Sequence, residues 1–463
     1  MERKPEIKTV SLRTETAYKA DEPGKVAQHT DAQGSGSEVN AEVAQLQFAF
    51  LSGEIPQAQA EREVSRGHST PQVRGGEPEP DRCHSTTDPQ PAAQTPNGRA
   101  VALEELDGKH GEAQVNLLEQ ILSRENMLSA WKRVKANKGA AGMDGMSTDA
   151  FPEFARQHWE RIRSALERGT YRPAAVLRVM IPKATGGQRP LGIPTVLDRV
   201  IQQAIAQVIG PLFDPHFSTH SYGFRPQRSA RMALEEMEQA HGDGLRFAVD
   251  CDLKSFFDTV NHGLLMNRLL RKVHDKRVLR LISRYLNAGV ILPDGKREPT
   301  PCGVPQGGPL SPLLANVMLD DLDKELERRE LRFARYADDF LIFVRSRSAA
   351  QRVLRSVGQF IEGKLALIIN RTKSKAARLG ECTFLGFTMS RGKLRWTDAA
   401  VQRFKERVRE ITNRSNGKSM RQRIPILRRY VTGWLNYYGH SRSYTQLLEL
   451  DQWLRRRVRL CYW

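Results

Sequence analysis

Residues 332–344 read Arg-Phe-Ala-Arg-Tyr-Ala-Asp-Asp-Phe-Leu-Ile-Phe-Val. Two adjacent carboxylates, Asp338 and Asp339, stand directly before an apolar run that is typical of a strand. A buried charge stays ionised only when it is paired or metal-bound. Neighbouring residues on a strand point to opposite faces, whereas a tight turn between two strands can aim both carboxylates at one ion. The stretch therefore predicts a β-hairpin whose tip carries a divalent metal.

A second acidic strand is predicted upstream, over residues 246–253. If its apolar residues face the core, Asp250 and Asp252 share the other face, because side chains alternate with a period of two. In a basic protein, the set Asp252, Asp338 and Asp339 indicates phosphoryl transfer by two magnesium ions, which prefer oxygen ligands and keep substrate phosphates in their coordination sphere.

The charge of the chain indicates a polyanionic partner. The 463 residues have a formal net charge of +19. Residues 1–110 carry 12 basic and 18 acidic side chains, and the remaining residues carry 60 basic and 35 acidic ones. The excess of positive charge therefore belongs to the body of the protein, where a nucleic-acid groove is expected.

Composition also limits the class of the protein. The five cysteines include no CxxC pair, which argues against a zinc site and a disulfide framework. No window of about 20 apolar residues and no signal-peptide core is present, so we expect a cytoplasmic protein without a membrane partner.

Residues 1–112 are rich in Gln, Glu, Gly, Pro, Ser and Thr and poor in aromatics. Such a segment cannot bury enough apolar surface to offset chain entropy, so we expect it to be largely disordered.

The rest of the chain mixes helices and strands without a regular βαβ repeat, which predicts an α+β fold. A hairpin is predicted over 176–182 and 188–194, with Lys183 and Arg189 flanking its turn, where both could hold phosphates. Helical periodicity covers 197–209, 230–240, 313–326 and 349–365, and further strands are predicted at 365–370 and 382–387.

Residues 396–463 are predicted to be all-helical, with 15 basic and 5 acidic side chains and interleaved aromatics. Basic and aromatic residues together suit a groove that follows a phosphate backbone and stacks on bases. We expect the aromatics to form mostly the core of a helical bundle, while the arginine faces contact nucleic acid.

The ordered motifs resemble the group II intron-encoded reverse transcriptase/maturase family. The matching segments, in the order of the family, are PKATGGQRPLGIP (182–194), SYGFRPQRS (221–229), DLKSFFDTVNH (252–262), GVPQGGPLSPLLANVML (303–319), YADD (336–339), INRTK (369–373) and FLGF (384–387). They cover residues 115–390, and GWLNYY (433–438) is similar to the maturase or thumb domain.

The resemblance implies a right-hand polymerase. It implies a disordered extension over residues 1–112, fingers and palm with an antiparallel sheet over 113–392, and an all-α thumb/maturase domain over 393–463 that is truncated at its C-terminus. It further implies a bacterial, nucleoid-associated enzyme that binds intron RNA, assists its splicing and copies it into DNA during retrohoming. The expected partners are the intron RNA template, a DNA target and primer, and dNTPs, with a monomer and a dimer both open.

The resemblance also assigns roles to residues. Asp252 and Asp338, with the Leu253 carbonyl, match the ligands of two Mg²⁺ ions, and Asp339 matches a supporting carboxylate. Asp250 and Asp258 fall outside these positions and are interpreted as structural.

The nucleotide would be bound by residues that match the nucleotide site of the family: Lys183 and Arg189 on its triphosphate, Phe257 against a ribose 2′-hydroxyl, Gln306 beside the incoming nucleotide, and Lys373 near the pyrophosphate. The nucleic-acid contacts are expected from Arg225, Arg428, Arg429, Arg455, Arg456 and Arg457.

The chain departs from the family at residues 369–374, which read Ile-Asn-Arg-Thr-Lys-Ser where Leu-Asn-x-Glu-Lys-Thr is usual. No His-Asn-His endonuclease pattern follows the helical tail, so cleavage of a second DNA strand is not expected. Two alternatives remain open: an RNA-binding maturase that does not polymerise, and a retron-like or diversity-generating reverse transcriptase without an intron.

Overall fold

The computed structural model of the chain describes residues 116–182, 188–413, 415 and 417–462. The predicted disordered segment, residues 1–112, and the predicted phosphate ligand Lys183 lie outside the described residues.

The described elements follow one another in a mixed order. The helices are α1 Leu117–Ile121, α2 Arg124–Ala136, α3 Phe151–Glu167, α4 Val196–Phe213, α5 Ala230–Gly242, α6 Phe256–Thr259, α7 His262–Leu270, α8 Lys276–Leu286, α9 Ser311–Arg328, α10 Arg347–Lys364, α11 Asp398–Ile411, α12 Met420–Tyr438 and α13 Tyr444–Arg459. The strands are β1 Val176–Pro182, β2 Gln188–Ile193, β3 Phe247–Cys251, β4 Val290–Ile291, β5 Arg297–Glu298, β6 Arg332–Tyr336, β7 Asp339–Val344, β8 Lys375–Arg378, β9 Phe387–Ser390 and β10 Lys393–Trp396.

The central sheet has the strand order β6-β7-β3-β8, and every neighbouring pair is antiparallel. Strand β7 is apolar from Phe340 to Val344, since both faces of the sheet are covered. Phe340 and Ile342 enter the core formed with α4, α7, α8 and α9, whereas Leu341 and Phe343 enter a second core formed with α5 and the C-terminal helices. The predicted α+β fold with an antiparallel sheet is confirmed.

A second sheet, with the order β2-β1-β4-β5, carries the β1–β2 hairpin. The hairpin pairs Leu177 with Ile193 and Pro182 with Gln188, as the sequence predicted. Thr195 follows β2 and begins α4 by accepting a hydrogen bond from the Asp198 backbone N–H, which satisfies a donor that has no partner within the helix.

Two predicted strands are wrong. Of residues 365–370, only Ile369 pairs, in an isolated bridge with Leu253. The strand expected at 382–387 begins at its last residue, Phe387, because Leu385 and Gly386 form a turn. The fourth strand of the central sheet is instead β8, whose sequence Lys-Ala-Ala-Arg lacks the β-branched and aromatic residues that mark strands.

The tail is helical as predicted, over α11, α12 and α13, but the hairpin β9–β10 precedes it. The predicted boundary between residues 392 and 393 falls inside that hairpin. Of the tail aromatics that we expected to be mostly core, Trp434, Tyr437 and Tyr438 are buried and Tyr430 and Trp453 pack against the same core, whereas Tyr444 and Tyr462 are exposed. None of the helices in the described part of the chain is both long and apolar enough to cross a membrane.

Candidate active site

The predicted hairpin tip is formed by Ala337 and Asp338, which connect β6 to β7. Tyr336 pairs with Asp339, so the turn has two residues. Ala337 has a φ of 60°, a left-handed conformation that is unfavourable for an L-residue with a Cβ. A non-glycine residue with a positive φ persists only where its surroundings fix it, and such residues cluster at functional sites.

A buried arginine holds this turn. The Nη1 group of Arg335 donates to the Ala337 carbonyl at 2.9 Å and to Asn316 Oδ1 at 3.0 Å. Its Nε and Nη2 groups bind the Asp323 carboxylate at 2.7 and 2.5 Å, and Nη2 also reaches Ser221 Oγ at 2.8 Å. The side chains of Arg335 and Asp323 are both 0% exposed. The 337–338 turn is therefore anchored to α9 by a fully buried ion pair.

The loop that contains SYGFRP braces the same turn. The Arg335 N–H donates to the His220 carbonyl at 2.9 Å, and the Tyr222 N–H donates to the Arg335 carbonyl at 2.8 Å. A Cβ on Gly223 would lie 2.4 Å from the Ala337 nitrogen, so only glycine allows this approach.

Asp252 follows the end of β3. Strand β3 pairs Cys251 with Phe340, and continuing that register places Asp252 opposite Asp339. The Asp252 N–H donates to Ser374 Oγ at 3.0 Å, and its carbonyl accepts the Asn370 N–H at 2.8 Å. The segment 369–374 therefore fixes Asp252 beyond the strand end, although it is not the strand that the sequence predicted.

Asp338 is partly buried, and charges of both signs lie near it. Burial raises the pKa of the Asp338 carboxyl, the neighbouring Asp252 raises it further, and Arg189 opposes the shift. Asp338 is therefore within electrostatic range of both Asp252 and Arg189.

Asp339 and Asp250 complete a cluster of four carboxylates. Burial raises the pKa of Asp339 well above its usual range, and Asp250, Asp338 and Asp252 add to the shift. Burial raises the pKa of Asp250 to about 6; Asp252 adds to this shift and Lys375 opposes it. Asp250, which the sequence interpretation left as structural, belongs electrostatically to this cluster. Its signal was the period-two spacing from Asp252.

The donor set of this cluster fits divalent cations. Carboxylates that share a poorly solvated site repel one another and remain ionised together only beside a counter-charge. Magnesium characteristically takes one or two carboxylates and completes its shell with waters and substrate phosphates. The part of the chain that the structure describes holds no group of three or more His, Cys, Asp or Glu side chains that could hold a metal ion, so these carboxylates do not form a complete protein cage for one.

Arg189 and Gln306 are neighbours. Arg189 Nε donates to Gln306 Oε1 at 2.9 Å, and the Gly192 N–H donates to the Gln306 carbonyl at 2.7 Å. Gly307 has a φ of 106°, and a Cβ there would lie 2.4 Å from the Gly192 carbonyl. The β2 strand is thereby docked on the 303–308 loop next to the carboxylates.

Phe257 lines one cavity together with Gln306, with residues 190–192 of β2 and with residues 299–305. Its side chain is buried on α6, and its carbonyl accepts the Val304 N–H at 2.6 Å. Lys373 lies on the exposed turn that brackets Asp252.

The environment of Arg225 does not fit the predicted nucleic-acid contact. Its guanidinium donates to Asp214 Oδ1 at 2.7 Å and to the carbonyls of Asp214, Ser218 and Ser221. The side chain is only 5% exposed and lies over the Phe217 ring. Arg225 instead holds the SYGFRP loop in shape, because its donors are directed inward.

The arginines of the helical tail differ in their exposure and in their hydrogen-bond partners. Arg428 and Arg429 are exposed on α12 and line a groove with Arg421. Arg455 and Arg456 are exposed on α13, where Arg455 Nε donates to Asp451 at 2.8 Å. Arg457 is partly buried and donates to Thr412 Oγ1 at 2.8 Å, which ties α13 to the end of α11.

Sequence reasoning missed the role of Arg335. The period of two in Arg-Phe-Ala-Arg-Tyr places Arg335 on the same face as Phe333, which is buried. A cation on the buried face of a strand next to paired carboxylates was the signal that could have identified it.

Comparisons with known proteins agree with this geometry. Residues 181–389 match the family model for reverse transcriptase (RNA-dependent DNA polymerase), and residues 401–463 match the group II intron maturase-specific domain. The chain is similar to protein YkfC of Escherichia coli strain K12, with 32% identity over 326 residues, covering 62% of this chain and 85% of YkfC.

Two further relatives are named for introns. The group II intron-encoded protein LtrA of Lactococcus lactis subsp. cremoris is 36% identical over 225 residues, covering 48% of this chain and 37% of LtrA. The putative COX1/OXI3 intron 1 protein of Saccharomyces cerevisiae is 30% identical over 223 residues, covering 48% of this chain and 26% of that protein. The chain thus spans well under half the length of these two relatives.

Proposed function

Because this chain belongs to the group II intron-encoded reverse transcriptase/maturase family, we propose that it copies intron RNA into DNA at the Asp252–Asp338 site. The single observation that supports this site most strongly is the meeting of Asp252, from β3, with the Asp338–Asp339 turn beside Arg189. Residues 113–392 then act as fingers and palm, and residues 393–463 as thumb and maturase domain.

Asp252, the Leu253 carbonyl and Asp338 hold two Mg²⁺ ions in this proposal. When bound, such ions supply activation of the primer 3′-hydroxyl and stabilisation of the leaving pyrophosphate. Asp338 and Asp252 neutralise the ions with their carboxylates, and Asp339, which begins β7 next to Asp338, supports them. The buried Arg335 keeps the turn in the conformation that presents Asp338.

The incoming dNTP is held by the fingers. Arg189 binds the triphosphate, a role that Lys183 shares, because cations positioned on the phosphates stabilise the charge that develops during transfer. Gln306, oriented by Arg189, packs beside the nucleotide, and Lys373 contacts the pyrophosphate from the turn next to Asp252. Phe257 fills the space that a ribose 2′-hydroxyl would need, which excludes ribonucleotides.

The helical tail binds the RNA partner and assists splicing. Its match to the maturase-specific domain and its exposed arginines on α12 and α13 support this role. Phosphate contacts from Arg428, Arg429, Arg455 and Arg456 give affinity without sequence selection and make binding dependent on salt.

Extension of a DNA primer on an RNA template tests the proposal. The full chain is expected to incorporate dNTPs with Mg²⁺ and to stop when the metal is chelated. Replacing dNTPs with rNTPs should block extension by the wild type and permit it for Phe257→Val. Splicing without primer extension would overturn the polymerase and favour the maturase that does not polymerise.

A further inference from the structure

The loop that carries Gln306 is joined to the segment that carries Phe257 by two backbone hydrogen bonds. The Gly303 N–H donates to the Val260 carbonyl at 2.8 Å, and the Val304 N–H donates to the Phe257 carbonyl at 2.6 Å. Gly303 has a φ of 91°, and a Cβ there would lie 2.9 Å from the Phe257 carbonyl oxygen, so only glycine allows this approach. The loop therefore lies directly against the backbone of Phe257.

A histidine side chain adds a third hydrogen bond to the same loop. His262 Nε2 lies 2.7 Å from the Gly303 carbonyl oxygen. A carbonyl oxygen can only accept, so Nε2 carries the hydrogen and donates it. The Gly303 carbonyl and the Val304 N–H belong to one trans peptide group and point in opposite directions. That peptide is therefore clamped between the His262 imidazole and the Phe257 carbonyl.

Helix α7 holds the clamping side chain in place. His262 is the first residue of this helix, and Asn261 caps it, because the Asn261 Oδ1 accepts the Leu264 N–H at 3.0 Å. Leu265 and Leu269 of the same helix are 0% exposed. The imidazole is thus presented by an element that is anchored in the core, and such an element positions a group more precisely than a loop does.

The clamped peptide lies next to the candidate nucleotide site. Phe257, Gly303 and Gln306 line one cavity. From the Phe257 carbonyl, the path to Gln306 runs through the Val304 N–H and one further residue, Pro305. Gln306 is in turn bonded to strand β2 through its carbonyl and its side chain. The His262 hydrogen bond therefore acts on the short stretch of backbone that sets the distance between Gln306 and Phe257.

We propose that His262 is a positioning residue for sugar selection: by clamping the Gly303–Val304 peptide it fixes the spacing between Gln306 and Phe257, and with it the room left for a ribose 2′-hydroxyl. In this role, which rests on the proposed polymerase function, His262 touches neither nucleotide nor metal. Without the imidazole donor, the carbonyl of the buried Gly303 loses its partner, and the peptide turns to find another one. The spacing then relaxes, and ribonucleotides gain access.

Single-nucleotide incorporation with dNTPs and rNTPs tests this inference on the full chain. His262→Phe keeps a planar ring but removes the donor. We expect the KM for dNTP to rise at least fivefold and the ratio of rNTP to dNTP kcat/KM to rise at least fivefold. The kcat for dNTP should stay within threefold, and the Kd for primer–template RNA within twofold, of the wild type. Circular dichroism at the assay temperature verifies that the variant is folded.

A conservative variant separates the hydrogen bond from packing. His262→Gln loses the ring but retains an N–H donor at the ε position, so it should return the ratio to within twofold of the wild type. If His262 acted only through packing, the ring of His262→Phe would preserve selectivity better than glutamine does. That order, or equal losses for both variants, would overturn the proposal.

The same exchange at an exposed position is the matched control. His274 is exposed between α7 and α8, so His274→Phe should leave the KM for dNTP and the ratio within twofold of the wild type. A fivefold rise for this variant would show that the effect is not specific to the clamp. An inactive wild type would instead refute the proposed function itself.

A double variant tests the route through Phe257. Once the gate is removed in Phe257→Val, the spacing that His262 maintains no longer decides the sugar. In that background, His262→Phe is therefore expected to raise the ratio of rNTP to dNTP incorporation by less than twofold, because residues that act through one contact are not additive. A further fivefold rise there would overturn the proposal.

Discussion

Removing the carboxylate of Asp323 should lower the free energy of unfolding far more than removing one partner of an exposed ion pair. Arg335 and Asp323 are both 0% exposed and share two hydrogen bonds, at 2.7 and 2.5 Å. Asp323→Ala leaves a guanidinium in the core without its counter-charge, which costs about 3–5 kcal/mol in the free energy of unfolding. That cost corresponds to a roughly 10²–10⁴-fold change in the unfolding equilibrium.

Urea unfolding followed by tryptophan fluorescence measures this difference. Arg328→Ala is the matched control, because Arg328 pairs with Glu325 while 71% exposed. Solvent and salt weaken an ion pair between exposed side chains, so the unfolding midpoint of the control should hardly move. If Asp323→Ala and Arg328→Ala have the same unfolding free energy, the buried pair does not carry the anchoring role assigned to it.

A paired replacement separates stability from catalysis. In Arg335→Met with Asp323→Leu, the burial of two charges is avoided, so much of the lost stability should return. Primer extension should remain low, because the Ala337 carbonyl no longer receives the 2.9 Å hydrogen bond from Arg335. Full recovery of extension in this double variant would refute the idea that Arg335 shapes the catalytic turn.

Three further outcomes follow from the structure. Gly223→Ala should sharply reduce primer extension, because its Cβ would lie 2.4 Å from the Ala337 nitrogen, whereas Gly363→Ala, with no atom within 4 Å, should leave extension unchanged and the unfolding midpoint equal or higher. Burial raises the pKa of Glu236, but the nearby His220, 3.5 Å away, and the hydrogen-bonded Arg332 lower it by more than burial raises it, to about 2. The ionised Glu236 therefore stabilises the folded state fully above pH 4.5, and this contribution is lost as the pH falls towards 2. The free energy of urea unfolding of Glu236→Gln should accordingly depend less on pH across that interval. Phe257→Val should raise the ratio of rNTP to dNTP incorporation at least tenfold in single-nucleotide assays, and an unchanged ratio would place the sugar selection elsewhere.

The hairpin formed by β6 and β7 could be predicted because its signal is local. The carboxylates Asp338 and Asp339 precede an apolar run, and the helices and the hairpin at residues 176–193 follow periodic patterns. The strand β8 could not be recognised, since Lys-Ala-Ala-Arg pairs with β3 only by virtue of tertiary context.

The supporting interactions of the site depend on contacts between distant segments. Arg335 meets Ser221 across 114 positions, and His262 meets Gly303 across 41. No spacing rule predicts such partners, so the sequence supplied the candidate reacting groups, whereas the fold was needed to reveal the side chains that orient them. For Arg225, in contrast, the sequence suggested a function where the fold shows a structural role. We predicted that this loop arginine binds nucleic acid, but its donors point inward to backbone carbonyls.

We propose that Asp338 is a metal-binding carboxylate of the polymerase site. Single-turnover extension of a primer on an RNA template by Asp338→Asn tests this role, with Asp294→Asn on an exposed loop as the control. We expect a loss of at least 10³-fold for Asp338→Asn, with RNA affinity within about twofold of the wild type and an active control. Extension by Asp338→Asn within tenfold of the wild-type rate would contradict it.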